Sequence, residues 1–270
     1  MPLVTRPKNF VQPQGPAQVN WANPVTRGMA FAATGPQWID SVTNLEPTKY
    51  SPGNYSTNRF GRTLAPSANG KQLQWSNKHL AAMLSGANAC SAMALASNTV
   101  AGWYPSATNA DILRCDGTFS PFHLNNTHVL QETLWTAGGS STEQDTTLLT
   151  NAGAREMIYV CNNGTTGNVY LASDLIPALT LKGTMGTPGA LTPSTTNVCI
   201  GGNESSAEYF ASGMVALGVY WNRALSQQEV SSLLVNPWQI FLPTVRRIWV
   251  ALPSTAGAGA NLLPFPGGFL

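Results

Sequence analysis

The sequence predicts an all-β sandwich with one short helix near its C-terminal end and extended arms on either side. Residues 214–221 (MVALGVYW) are apolar or small at every position, and a run of that length suits a strand buried on both faces. Short apolar or alternating runs recur along the chain between turn signals such as Pro52-Gly53, Asp116-Gly117 and Asn163-Gly164. At 270 residues the chain is long enough for one large sandwich core.

Residues 1–19 hold four prolines and no periodicity, which predicts an extended arm. Residues 21–31 begin the body, and 31–40 supply a first strand and turn containing Trp38. The stretch 41–70 is turn-rich. Gln72, Gln74 and Ser76 alternate with Leu73 and Trp75, the pattern of a half-buried edge strand. Residues 87–101 are small and apolar and read as a central strand, followed by strands at 112–115 and 128–130. Residues 136–147 are rich in Gly, Ser and Thr and are expected to form a loop. A strand at 155–161 then turns at Asn162-Asn163-Gly164 and returns through 168–172.

After residue 221 the period changes. Ser226 followed by Glu229 is a capping box, and Leu225 and Val230 stand at the two positions of a hydrophobic staple. Val230, Leu233 and Leu234 share one helical face, and Asn236-Pro237 stops the helix. The end of the chain, 254–270, is Gly- and Pro-broken, and no charged side chain follows Arg247. The expected division is an arm at 1–19, a sandwich at 20–250 and an apolar tail at 251–270.

Charged residues make up 10% of the chain, well below the roughly 25% of an average domain. A net charge of +2, with no basic run longer than Arg246-Arg247, argues against nucleic acid as a partner. No apolar run approaches the ~18 residues of a membrane span, and no signal-peptide pattern opens the chain. Cys90, Cys115, Cys161 and Cys199 are scattered without C-x-x-C spacing, so zinc is not expected; Cys161 and Cys199 lie in strand-like runs, where buried free thiols are expected.

The order Gly213, Tyr220, Asn222, Arg223, Ala224, Leu225, Ser226, Glu229, Val230 resembles the last strand and closing helix of concanavalin-A-like, laminin-G-like jelly-roll domains. Residues 200–203 and Tyr209-Phe210 look like that family's penultimate strand and its hairpin. The stretches 236–241 (NPWQIF), 246–250 (RRIWV) and 21–31 (WANPVTRGMAF) resemble members of the family carried by tailed bacteriophages and prophages. The resemblance implies a virion accessory protein, a capsid decoration or cement protein or a fibre component, located on the particle. It would bind neighbours such as the major capsid protein and assemble as a trimer or dimer. Its partner-binding residues would lie in the arms and tail: Phe10, Trp238, Arg246, Arg247, Trp249, Leu262, Leu263, Phe265 and Phe269.

The alternative is a glycan-binding adhesin or lectin module contacting a host surface, for which Trp103-Tyr104 is the aromatic candidate. No enzyme is expected. The close acidic groupings, Glu143-x-Asp145 and Glu204 with Glu208, sit in expected loop or hairpin segments without the strand alternation of a glycosidase pair. His79, His123 and His128 lack a nucleophile elbow. No cofactor is expected either. The loop calcium of the resembled family would fall to Asp111 and Asp116, but no Asp-x-Asp cluster supports it, and turn capping explains both.

Overall fold

The computed structural model describes residues 12–13, 15–50, 54–58, 61–65, 72–76, 80, 83–84, 89–98, 110–115, 119–124, 130–136, 139–145, 156–163, 167–173, 180–185, 197–202 and 213–242. Fifteen strands form among them. They are β1 (Met29–Thr34), β2 (Lys49–Tyr50), β3 (Asn54–Asn58), β4 (Gly61–Ala65), β5 (Leu73–Trp75), β6 (Cys90–Asn98), β7 (Ala110–Cys115) and β8 (Phe119–Leu124). There follow β9 (Leu130–Thr136), β10 (Gly139–Asp145), β11 (Glu156–Asn163), β12 (Gly167–Ser173), β13 (Thr180–Met185), β14 (Val198–Ile200) and β15 (Gly213–Trp221). The larger sheet runs β13-β12-β11-β6-β15-β4-β3, with β1 also paired to β15. The second runs β10-β9-β8-β7-β14-β5-β2. The pairing is antiparallel in both, as expected of a jelly-roll sandwich.

The apolar run predicted at 214–221 is β15, at the centre of the larger sheet and buried on both faces. On one face Val215 and Tyr220 join Ala92, Ala94 and Ala96 of β6 against Leu73, Trp75, Leu113, Val198 and Ile200 of the second sheet. The rings of Phe31 and Trp75 meet edge-on, with centroids 5.2 Å apart. A Cβ added at Gly218 would stand 2.9 Å from Ile200 Cδ1 and 3.0 Å from Leu113 Cδ1, so the glycine permits the close approach of the sheets.

On its other face the larger sheet carries a second core. Met93, Leu95, Leu217, Val219 and Trp221 are roofed by a helix, α1 (Gln227–Val235), and by 3-10 turns at Pro24–Thr26 and Pro237–Ile240. The capping box forms as predicted: Glu229 N donates to Ser226 Oγ at 3.3 Å, and Ser226 N donates to Glu229 Oε2 at 2.8 Å. Leu225 and Val230 are both buried in this core. Arg223 fixes the corner between β15 and α1, donating to both carboxylate oxygens of Glu229 at 2.7 and 2.9 Å and to Arg27 O at 2.6 Å.

Several expectations change. β5 lies inside its sheet, between β14 and β2, and Gln72 and Gln74 are buried with it, so the alternation marked two covered faces and not an edge. Residues 139–145, expected as loop, are β10, because a Ser/Thr-rich segment can be held as a strand by ladder hydrogen bonds to β9. The strands on either side of the expected turn, β11 and β12, pair antiparallel with Asn163 opposite Gly167. Within the expected arm, Gln12 and Val19 pack on the body: Gln12 is 2% exposed, and Val19 bridges Phe241. Trp238, expected at a partner surface, is 5% exposed and stacks near Phe241 in the second core, because the 3-10 turn folds it back beneath α1.

Candidate functional site

Strands β7 to β10 form one end of the second sheet, and their register lines up a set of polar residues. Asp111 pairs with His123, His123 with Gln131, and Gln131 with Gln144, giving one row across four strands. The next row is Ser120, Thr133 and Thr142, and beyond it Trp135 pairs with Ser140.

Two bulges bring this row together. Leu113, buried between the sheets, pairs with Phe122, while Asp111 pairs with the adjacent His123. The ladder slips between Asp111 and Leu113, and again between Ser120 and His123.

Asp111, expected in a loop, is thus a strand residue with a cross-strand histidine partner. Glu143 and Asp145 are likewise on a strand, with Glu143 opposite Glu132.

Among the described residues no group of three His, Cys, Asp or Glu could hold a metal ion, and no helix is long and apolar enough to cross a membrane. A recess beside Trp75, lined by Phe31, Asp40, Thr43, Leu45 and Leu80, has a cavity volume of about 10 Å³, room for a water and not for a sugar ring. Cys90, Cys115 and Cys199 are buried free thiols, and burial pushes the Cys90 thiol far above its ordinary range. The Arg223 guanidinium holds the Glu229 carboxyl below the usual carboxylate range.

Trp103, Tyr104, Asp116, His79, His128, Glu204 and Glu208 lie outside the described residues, as do Phe10, Arg246, Arg247, Trp249, Leu262, Leu263, Phe265 and Phe269. Of the row and the neighbouring Trp135, the sequence singled out Asp111 and His123, whereas Gln131, Trp135 and Gln144 were not identified. Their signal was the period-2 pattern on both sides of Gly138-Gly139, visible only once 139–145 is read as a strand.

No protein-family model matches the chain, and no curated protein matches it. Solved structures do. The binding domain of Paraclostridial Mosquitocidal Protein 1 is similar at a TM-score of 0.58 and 10% identity, over 78% of this chain and 52% of that one. The binding domain of botulinum neurotoxin DC, in complex with SialylT, is similar at 0.53 and 12% identity, over 80% and 52%. A Trypanosoma rangeli sialidase in complex with 2,3-difluoro-KDN is similar at 0.51 and 16% identity, over 83% and 36%. The chain thus spans about half the length of the two toxin domains and about a third of the sialidase. At these identities the likeness establishes the fold, an all-β jelly-roll sandwich with one short helix near its C-terminal end.

Proposed function

We propose that this protein is a glycan-binding module that takes sugar on the β7–β10 face and acts by binding, without catalysis. The observation that carries the reading is the register of β7–β10, which sets Trp135 opposite Ser140, Thr133 opposite Ser120 and Thr142, and Gln131 opposite His123 and Gln144. An aromatic ring supplies the apolar platform for a sugar's C–H face, and the surrounding amides and hydroxyls pair with its hydroxyls. The similar structures support this choice, since one was solved with SialylT and another is a sialidase. The test is a glycan array probed with the intact chain and with Trp135→Ala. The intact chain should give discrete signals that fall at least tenfold in the variant. Silence of the intact chain on all glycans, or equal signals from both, overturns the reading.

A second reading concerns where such a module would work: on a phage particle, as a capsid decoration or fibre component contacting the major capsid protein, as a dimer or trimer. It is supported by the uncharged stretch 248–270, whose leucines and phenylalanines are worth about 1.5–3 kcal/mol each when buried. Deleting residues 254–270 should abolish association with particles while leaving the sandwich folded. Full association of the shortened chain removes this reading and leaves glycan binding untouched.

A further inference from the structure

Two buried polar residues line the recess beside β5, and their hydrogen-bonding needs are complementary. Trp75 is 2% exposed, and its indole Nε1–H finds no hydrogen-bond partner in the protein. The ring itself is fixed, edge-on to Phe31 at 5.2 Å between centroids. Asp40 is 4% exposed and carries a carboxylate with about four acceptor positions. Oδ1 accepts from Ala32 N and Val42 N, each at 3.1 Å, and Oδ2 accepts from Thr43 Oγ1. One position on Oδ2 is left over. A buried indole N–H among apolar neighbours such as Leu80 and Val198 is costly to leave unpaired.

The chemistry narrows the occupant. It must accept from an indole N–H, donate to a carboxylate, and fit a volume of about 10 Å³. A metal or ammonium cation cannot accept, and an anion is repelled by Asp40 and cannot donate. A sugar or other organic hydroxyl compound is too large. Water does both tasks, and the volume matches the roughly 10–15 Å³ at which a polar cavity holds one water. We infer that the recess is a hydration site for a single water, which accepts from Trp75 Nε1 and donates to Asp40 Oδ2. The water joins the two sheets at their rim. Asp40 already ties its turn to β1 of the larger sheet, through Ala32 N and the Ser41 N bond to Ala32 O. Through the water the same carboxylate reaches β5 of the second sheet.

The test is water–protein cross-relaxation in the intact, 15N-labelled chain. Among the eight tryptophans, the Trp75 indole resonance is the one lost in Trp75→Phe, or is found by its cross-peaks to the Phe31 ring if that variant does not fold. The Trp75 indole proton should show a nuclear Overhauser effect to water opposite in sign to the rotating-frame effect, the mark of a long-held water. The effect should persist in Thr43→Val/Ser76→Ala, which removes the two lining hydroxyls that could relay it. A crystal structure of the intact chain is the second measurement, and should place one oxygen within about 3.2 Å of both Trp75 Nε1 and Asp40 Oδ2. No effect at the Trp75 proton, its loss in the folded double variant, or a refined structure with no such oxygen overturns the inference. Each of these outcomes leaves the glycan-binding reading untouched.

Discussion

The docking of Gln12 onto the body can be measured as a coupling energy. Its side chain donates to Arg62 O at 2.8 Å and to Thr34 Oγ1 at 3.2 Å, and accepts from Arg62 N at 2.6 Å. The amide thus takes the place of a peptide unit beside β4. It fits because Gly61, at φ +116°, has no Cβ; one built there would collide with Gln12 Oε1 and stand 2.9 Å from Gln12 Cβ. Gln12→Ala removes three hydrogen bonds at about 1 kcal/mol each and should cost about 2–3 kcal/mol. Gly61→Ala adds roughly 1–2 kcal/mol of backbone strain and expels the same amide, for about 4 kcal/mol in all. In the double variant the amide is already gone, so its cost should fall about 2 kcal/mol short of the sum. Urea unfolding of the four proteins, compared at equal m-value, reads this directly. The midpoint should also be independent of protein concentration, because Gln12 docks within its own chain. Additivity within about 0.5 kcal/mol, or a concentration-dependent midpoint, would refute the reasoning.

Glu229→Gln should cost about 1 kcal/mol at neutral pH, a value discounted for the pair's partial exposure. Because the folded carboxyl is depressed below its ordinary value of 4.5, the wild-type advantage is present above that pH and lost as pH falls through the folded value. Parallel melts of the two proteins from pH 7 to pH 3 should therefore converge, and a constant gap would rule the ion pair out. Cys90, Cys115 and Cys199 should resist alkylation by iodoacetamide in the native protein and label fully in urea; peptide mass spectrometry showing native label at any of them contradicts their burial.

How much of this was legible beforehand depended on how local each signal is. The unit from β15 through α1 was readable because the apolar run, the staple pair Leu225–Val230 and the Ser226–Glu229 box lie within a few residues of one another. Trp238 was misjudged for a related reason: Asn236-Pro237 marks a helix end, but nothing nearby shows that the following turn bends back under α1. β10 was hidden because Ser and Thr residues look the same in a loop and in a strand held by its ladder. The Gln12 contact spans 50 positions to Arg62 and has no local pattern. The register beside Asp111 depended on a bulge, a one-residue slip that composition does not record.

The seam between residues 18–20 and 240–242 has a mechanical consequence. Asn20 N donates to Ile240 O, Leu242 N donates to Gln18 O, and Val19 bridges Phe241, so the incoming and outgoing chain meet antiparallel at one corner. Tension applied to both sides of that corner would peel these bonds in succession instead of loading them together. Pulled from its two sides, the corner would give at this stitching before the cloth of the sandwich.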